Sequence, residues 1–107
     1  MIILDLNIKK GDLIGNTPHP DKEKIVWYMK KAPVVAYACG VARDVMTGEY
    51  IHSPWSLQSD GEYEWDSYVW YYVEKYDYPL PTDFVEKILK SDFRALWVAW
   101  RDSPYTT

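Results

Sequence analysis

Two spacings of apolar positions run through this chain, and the changes from one to the other mark out its elements. In Ile2–Ile8 the residues Leu4, Leu6 and Ile8 fall on one side of an extended run, which predicts a first strand. Gly11 to Pro20 reads as a loop, punctuated by Gly15, Asn16, Pro18 and Pro20. Asp21 opens a helix that runs to about Lys31, with Ile25, Tyr28, Met29 and Ala32 on its inner face. Its first turn holds Asp21 and Glu23 and its last Lys30 and Lys31, in agreement with the helix dipole, and Pro33 stops it. Val34–Cys39 is rich in β-formers and lightly polar, which predicts a central strand. Asp44–Gly48 forms a turn, from which Glu49–His52 returns as a hairpin partner until Ser53-Pro54 breaks it.

Ser59-Asp60-Gly61 signals a tight turn, and Glu62–Trp65 then alternates with a period of two. The clearest helix follows. Trp65, Tyr68, Val69, Tyr72, Val73 and Tyr76 recur on one face, Asp66 or Ser67 caps the start, and Pro79 and Pro81 end it. A short helix begins at Thr82 or Asp83, with Phe84, Val85, Ile88 and Leu89 inward and Lys87 and Lys90 near its end. Arg94–Trp100 fits either a strand or a helix, and the tail from Asp102 reads as frayed. The expected fold is α+β, a small mainly antiparallel sheet packed against two to three helices, as a single domain over residues 1–107.

At 107 residues there is room for one core. The aromatic share of 17% is high and turns attention to recognition, since Tyr and Trp serve both cores and wet interfaces. No apolar run approaches the roughly 18 residues that cross a bilayer, and no basic region precedes the apolar N-terminus, so neither membrane nor secretion is expected. The single cysteine, Cys39, excludes an internal disulfide and reads as a core thiol in a reducing compartment, which places the protein in the cytoplasm.

Charge is unevenly distributed. Residues 57–86 hold eight acids (Asp60, Glu62, Glu64, Asp66, Glu74, Asp77, Asp83 and Glu86) against the one base Lys75. Direct binding to nucleic acid, which takes clustered Lys and Arg, is disfavoured, and a basic protein partner is favoured. Four of the acids alternate as Asp60, Glu62, Glu64 and Asp66. On a strand, Glu62 and Glu64 would share a face while Tyr63 and Trp65 meet the core, and their mutual repulsion would be relieved by something positive. The plainer alternative is a solvated strand face. A calcium loop numbered from Asp60 fails, because Trp65 stands where the turn glycine is needed and Tyr71 where a bidentate Glu belongs.

On the following helix Trp70 and Tyr71 lie off the core stripe near Glu74, and an aromatic pair beside an acid suits an Arg- or Lys-bearing partner. The competing reading is that another element, such as the Trp97–Trp100 segment, covers them. His19 and His52 stand at no metal-ligand spacing, so no metal or cofactor is expected. His52 with Glu49 or Asp60 is the one candidate acid–base pair.

Ser59-Asp60-Gly61-Glu62-Tyr63-Glu64-Trp65, then Tyr71-Tyr72-Val73-Glu74-Lys75-Tyr76, then Leu80-Pro81-Thr82-Asp83-Phe84 resembles a pattern in small uncharacterised bacterial proteins. In these an S-D-G-x-aromatic-x-W segment precedes a Y-Y-V-x-x-Y helix and an L-P-x-x-F helix start. Many of them carry Pro after the Trp, where this chain has Asp66. In size and acidity they resemble immunity proteins that neutralise a bacterial toxin, and the resemblance implies no catalytic residue.

The leading expectation is therefore a non-catalytic protein-binding domain, an immunity-type inhibitor of a basic toxin or nuclease. Asp60, Glu62, Glu64, Asp66, Trp70, Tyr71 and Glu74 would contact the partner. The alternatives are a small enzyme or ligand-binding domain using His52, and a structural subunit that forms a homodimer or larger homo-oligomer.

Overall fold

The computed structural model describes residues 2–4, 6–37, 42–52 and 55–90. Cys39, the Ser53-Pro54 break and the undecided Arg94–Trp100 segment lie outside the described residues. Among the described residues three α-helices and a short 3-10 helix (Lys10–Leu13) accompany a four-stranded and a two-stranded sheet, the α+β arrangement read from the sequence.

The four-stranded sheet has the order β1-β6-β5-β2. Its strands are β1 (Ile2–Ile3), β2 (Val34–Tyr37), β5 (Ser56–Ser59) and β6 (Tyr63–Asp66). β1 runs parallel to β6, and the other two pairings are antiparallel. The turn signal at residues 59–61 joins β5 to β6. Gly61 sits there at φ 94°, where an L side chain would be strained, and the Asp60 N–H donates to the Tyr63 carbonyl.

Trp65 belongs to β6 rather than to the helix stripe, because Leu57 pairs with Asp66 and holds the chain extended to that point. Ser67 takes the N-cap position of the helix, but its side chain makes no capping bond. Ser67 Oγ instead accepts the Ser56 N–H at 3.0 Å, and Asp66 accepts the Trp55 indole and Tyr68 hydroxyl hydrogens, each at 3.1 Å.

The alternation predicted for residues 4–8 survives as burial, with Leu4 in the core and Leu6 and Ile8 half-buried, although strand pairing ends beside it at β1. Two other expectations change. Among the described strands β2 lies at the end of the order rather than at its centre, with Val35 and Tyr37 about half exposed. The hairpin after Asp44 pairs β4 (Tyr50–His52) with β3 (Ala42–Arg43), not with β2, in a separate sheet. β2 pairs instead with Ser56–Ser59, a segment too polar to read as a strand. Gln58 accounts for some of that polarity, since its Nε2 donates to the Lys30 and Ala32 carbonyls and so closes the end of the preceding helix.

Helices α1 (Lys22–Lys31), α2 (Tyr68–Tyr76) and α3 (Thr82–Lys90) pack on the Tyr63/Trp65 face of the sheet. The predicted inner face of α1 holds completely, with Ile25, Tyr28, Met29 and Ala32 all buried beside Trp65, Val69, Phe84 and Ile88. On α3 only Phe84 and Ile88 are fully enclosed. Val85 is half-buried, and Leu89 is exposed rather than inward.

Candidate functional site

The alternation through residues 60–66 separates the acids into three environments. Asp60, on the turn, is 1% exposed at its side chain and serves the fold. Its Oδ1 accepts the Glu62 and Tyr63 N–H groups at 2.9 and 2.7 Å. Its Oδ2 accepts the Tyr28 hydroxyl of α1 and the Lys87 ammonium of α3, both at 2.5 Å. Burial works against ionisation, but Lys87, Tyr28 and the two N–H groups outweigh it and hold the carboxyl below its ordinary range. Burial, and then the bond to Asp60, pushes the Tyr28 hydroxyl up.

Glu64 and Asp66 occupy the face of the sheet opposite the helices. Asp66 is spent on Trp55 and Tyr68. Glu64 is half-buried and pairs in register with Ile3, which is 66% exposed. Glu62 stands most open, with its side chain 58% exposed and a loose 3.4 Å contact to Lys87.

The aromatic half of the predicted surface is on α2, within the helical layer. Glu74 is about half exposed and pairs with Lys30 of α1 at 3.0 Å, while the same ammonium sits 4.9 Å from the centre of the half-buried Trp70 ring. Tyr71 is half-buried and donates its hydroxyl to Asp44 at 2.6 Å. The seven predicted residues are therefore split between the two sides of the sheet. Glu62 reaches toward Lys87 of α3, Glu64 lies on the opposite face of the sheet in register with Ile3, Trp70 and Glu74 sit together beside Lys30, and Asp60, Asp66 and Tyr71 have partners inside the domain.

Sequence reading took Asp44 only as the start of a turn, whereas it is a second buried carboxylate, 1% exposed. Its Oδ1 accepts the Met46 and Thr47 N–H groups at 2.7 and 3.2 Å, which shapes the β3–β4 turn. Its Oδ2 accepts the hydroxyls of Tyr71 and Tyr76 at 2.6 and 2.7 Å, with Lys75 at 3.5 Å. Burial would raise its pKa, but the two tyrosines and two amides reverse the balance and pull it down to about 2. Tyr72 adds a second fastening, donating to the Arg43 carbonyl and accepting the Val45 N–H, both at 3.1 Å.

The tyrosines of the Y-Y-V-x-x-Y segment thus hold the hairpin to α2. Beyond that fixed base the hairpin exposes Val45, Met46 and Tyr50. The Arg43 guanidinium lies 4.4 Å from the centre of the Tyr50 ring and donates to its hydroxyl at 2.7 Å.

Of the candidate acid–base set, Asp60 has both oxygens occupied. Glu49 is exposed, and the His52 side chain lies outside the described residues. Among the described residues no three His, Cys, Asp or Glu side chains gather as a metal site, and no helix is long and apolar enough to cross a membrane. No family model matches this chain, and neither the curated proteins nor the solved structures contain a match to it.

Proposed function

We propose that this domain is a non-catalytic protein-binding module whose partner is basic, of the kind represented by a toxin or nuclease held by its inhibitor. The observation that supports this most is the corner formed by the 59–62 turn and the β1 edge. There Glu62 is 58% exposed at its side chain and Glu64 is half-buried, their carbonyls accept the Ile2 and Leu4 N–H groups beside the exposed Ile2 and Ile3, and Asp60 fixes the turn to two helices. A rigid acidic corner with apolar surface at its side suits a Lys- or Arg-bearing partner, and its charges act chiefly on association rate and partner choice. An inhibitor of this kind acts by occupying its target.

A second reading rests on the hairpin. Met46, Tyr50 and Arg43 are residue types enriched at interfaces, and they stand with the exposed Val45 on a loop that Asp44 and three tyrosines hold in place.

Affinity capture from the native host with three baits tests both readings: the unaltered domain, the Glu62→Lys/Glu64→Lys double variant, and the Met46→Ser/Tyr50→Ala double variant. A partner held by the unaltered domain and lost on charge reversal, with slower association and a weaker salt dependence, supports the acidic corner. Loss only with the hairpin variant moves the contact there. Retention by all three baits removes both surfaces.

A further inference from the structure

A cleft of about 220 Å³ opens between the 16–19 loop, α1, the C-terminal end of α2 and the start of α3. It involves none of the residues assigned to protein binding above. Its floor is apolar, formed by the buried Ile25 and Val73 with the half-buried Leu80 and Val85. At roughly 30 Å³ per water, the volume equals about seven waters, room for one small metabolite and less than the roughly 300 Å³ at which drug-sized sites begin.

Its polar side is an ion pair. Lys22 donates to Asp77 Oδ1 at 2.6 Å, with the two side chains 29% and 20% exposed. The ammonium keeps two further hydrogens, and among the described residues Oδ2 of Asp77 accepts none. His19 also lines the cleft. Its Nδ1 accepts the Asp21 N–H at 3.0 Å, so the neutral ring carries its proton on Nε2 and offers a donor. Asp77 is held in position by its left-handed backbone at φ 57°, where its N–H closes α2 on the Val73 carbonyl.

A cation and an anion side by side above an apolar floor select a particular chemistry. A simple carboxylate would gain Lys22 but face Asp77, and a simple amine would meet the reverse. A molecule carrying an ammonium and a carboxylate on one carbon satisfies both. We propose that this cleft binds a free α-amino acid with a branched aliphatic side chain. Its carboxylate sits on Lys22 and His19, its ammonium on Asp77, and its side chain on Val73, Leu80 and Val85.

Amide NMR titrations with three ligands that share the isobutyl side chain test the proposal: L-leucine, 4-methylpentanoate without the ammonium, and 3-methylbutylamine without the carboxylate. Leucine is expected to shift the amides of Lys22, Val73, Leu80 and Val85 with a millimolar dissociation constant, and each analogue to bind about tenfold or more weakly. Asp77→Asn, an exchange that a left-handed position tolerates, is expected to reverse the order and put 4-methylpentanoate ahead of leucine. Equal binding of the three ligands to the unaltered protein, or no shift at tens of millimolar leucine, overturns the proposal. An unchanged order in D77N does the same.

Discussion

A carboxylate shut away from water is costly unless its oxygens are filled, and Asp44 and Asp60 meet that condition in different ways. Asp60 has an ammonium at 2.5 Å, while Asp44 relies on two phenols and two amides, its lysine being 3.5 Å away. Removing Lys75, itself 43% exposed, should therefore leave the denaturation midpoint nearly unchanged. Asp44→Ala strands two hydroxyls and two N–H groups and should cost about 3 kcal/mol in chemical denaturation. Asp44→Asn, which keeps one acceptor for the turn amides, should cost about half as much. Nothing in the local sequence separates these two aspartates from Glu62 or Asp83, which stand in water. Asp60, Glu62 and Asp83 counted alike within the acidic stretch, Asp44 read only as the start of a turn, and the Asp-Gly turn signal alone set Asp60 apart.

Among the elements, the legible ones are those whose burial follows their own period. α1 was readable to within a residue because Ile25, Tyr28, Met29 and Ala32 recur at helical spacing on one buried face, and α3 because Phe84 and Ile88 lie one turn apart on one side. α2 was found, but its polar bonds were not, since helical spacing cannot say that the hydroxyl ends of Tyr71, Tyr72 and Tyr76 reach another element. β5 was missed because Ser56, Gln58 and Ser59 are buried polar residues whose partners, such as the end of α1 and Ser67, lie far off in sequence. The bond between α2 and the hairpin gives an element-scale test. Tyr72→Phe leaves the Arg43 carbonyl and Val45 N–H without their partner, and should destabilise by about 1–2 kcal/mol. Hydrogen exchange should then quicken first at Asp44 and Gly48, whose N–H groups close the hairpin turn, while the α1 amides keep their protection.

Over the whole molecule, the two buried carboxylates make acid the sensitive direction. A carboxyl whose pKa is lowered on folding stabilises fully above its unfolded value and loses that contribution as pH falls toward the folded one. Asp44 moves from an ordinary 3.8 to about 2, and Asp60 shifts in the same direction. Stability should hold down to about pH 4 and fall between there and pH 2, read as the urea midpoint of tryptophan fluorescence against pH, and Asp44→Asn should flatten that slope. The sequence by itself determined the class of fold, the three helices and the 59–66 turn and strand, because backbone preference and the period of apolar residues act over a few neighbours. It also placed an acid excess in the second half of the chain. Only the tertiary structure decided which acids are surface and which are framework, which strand stands at the end of the sheet, and that Lys22 and Asp77 meet over an apolar cleft. Those outcomes depend on groups 26 to 55 positions apart being brought within hydrogen-bond distance, and a residue's neighbours in sequence carry no record of that.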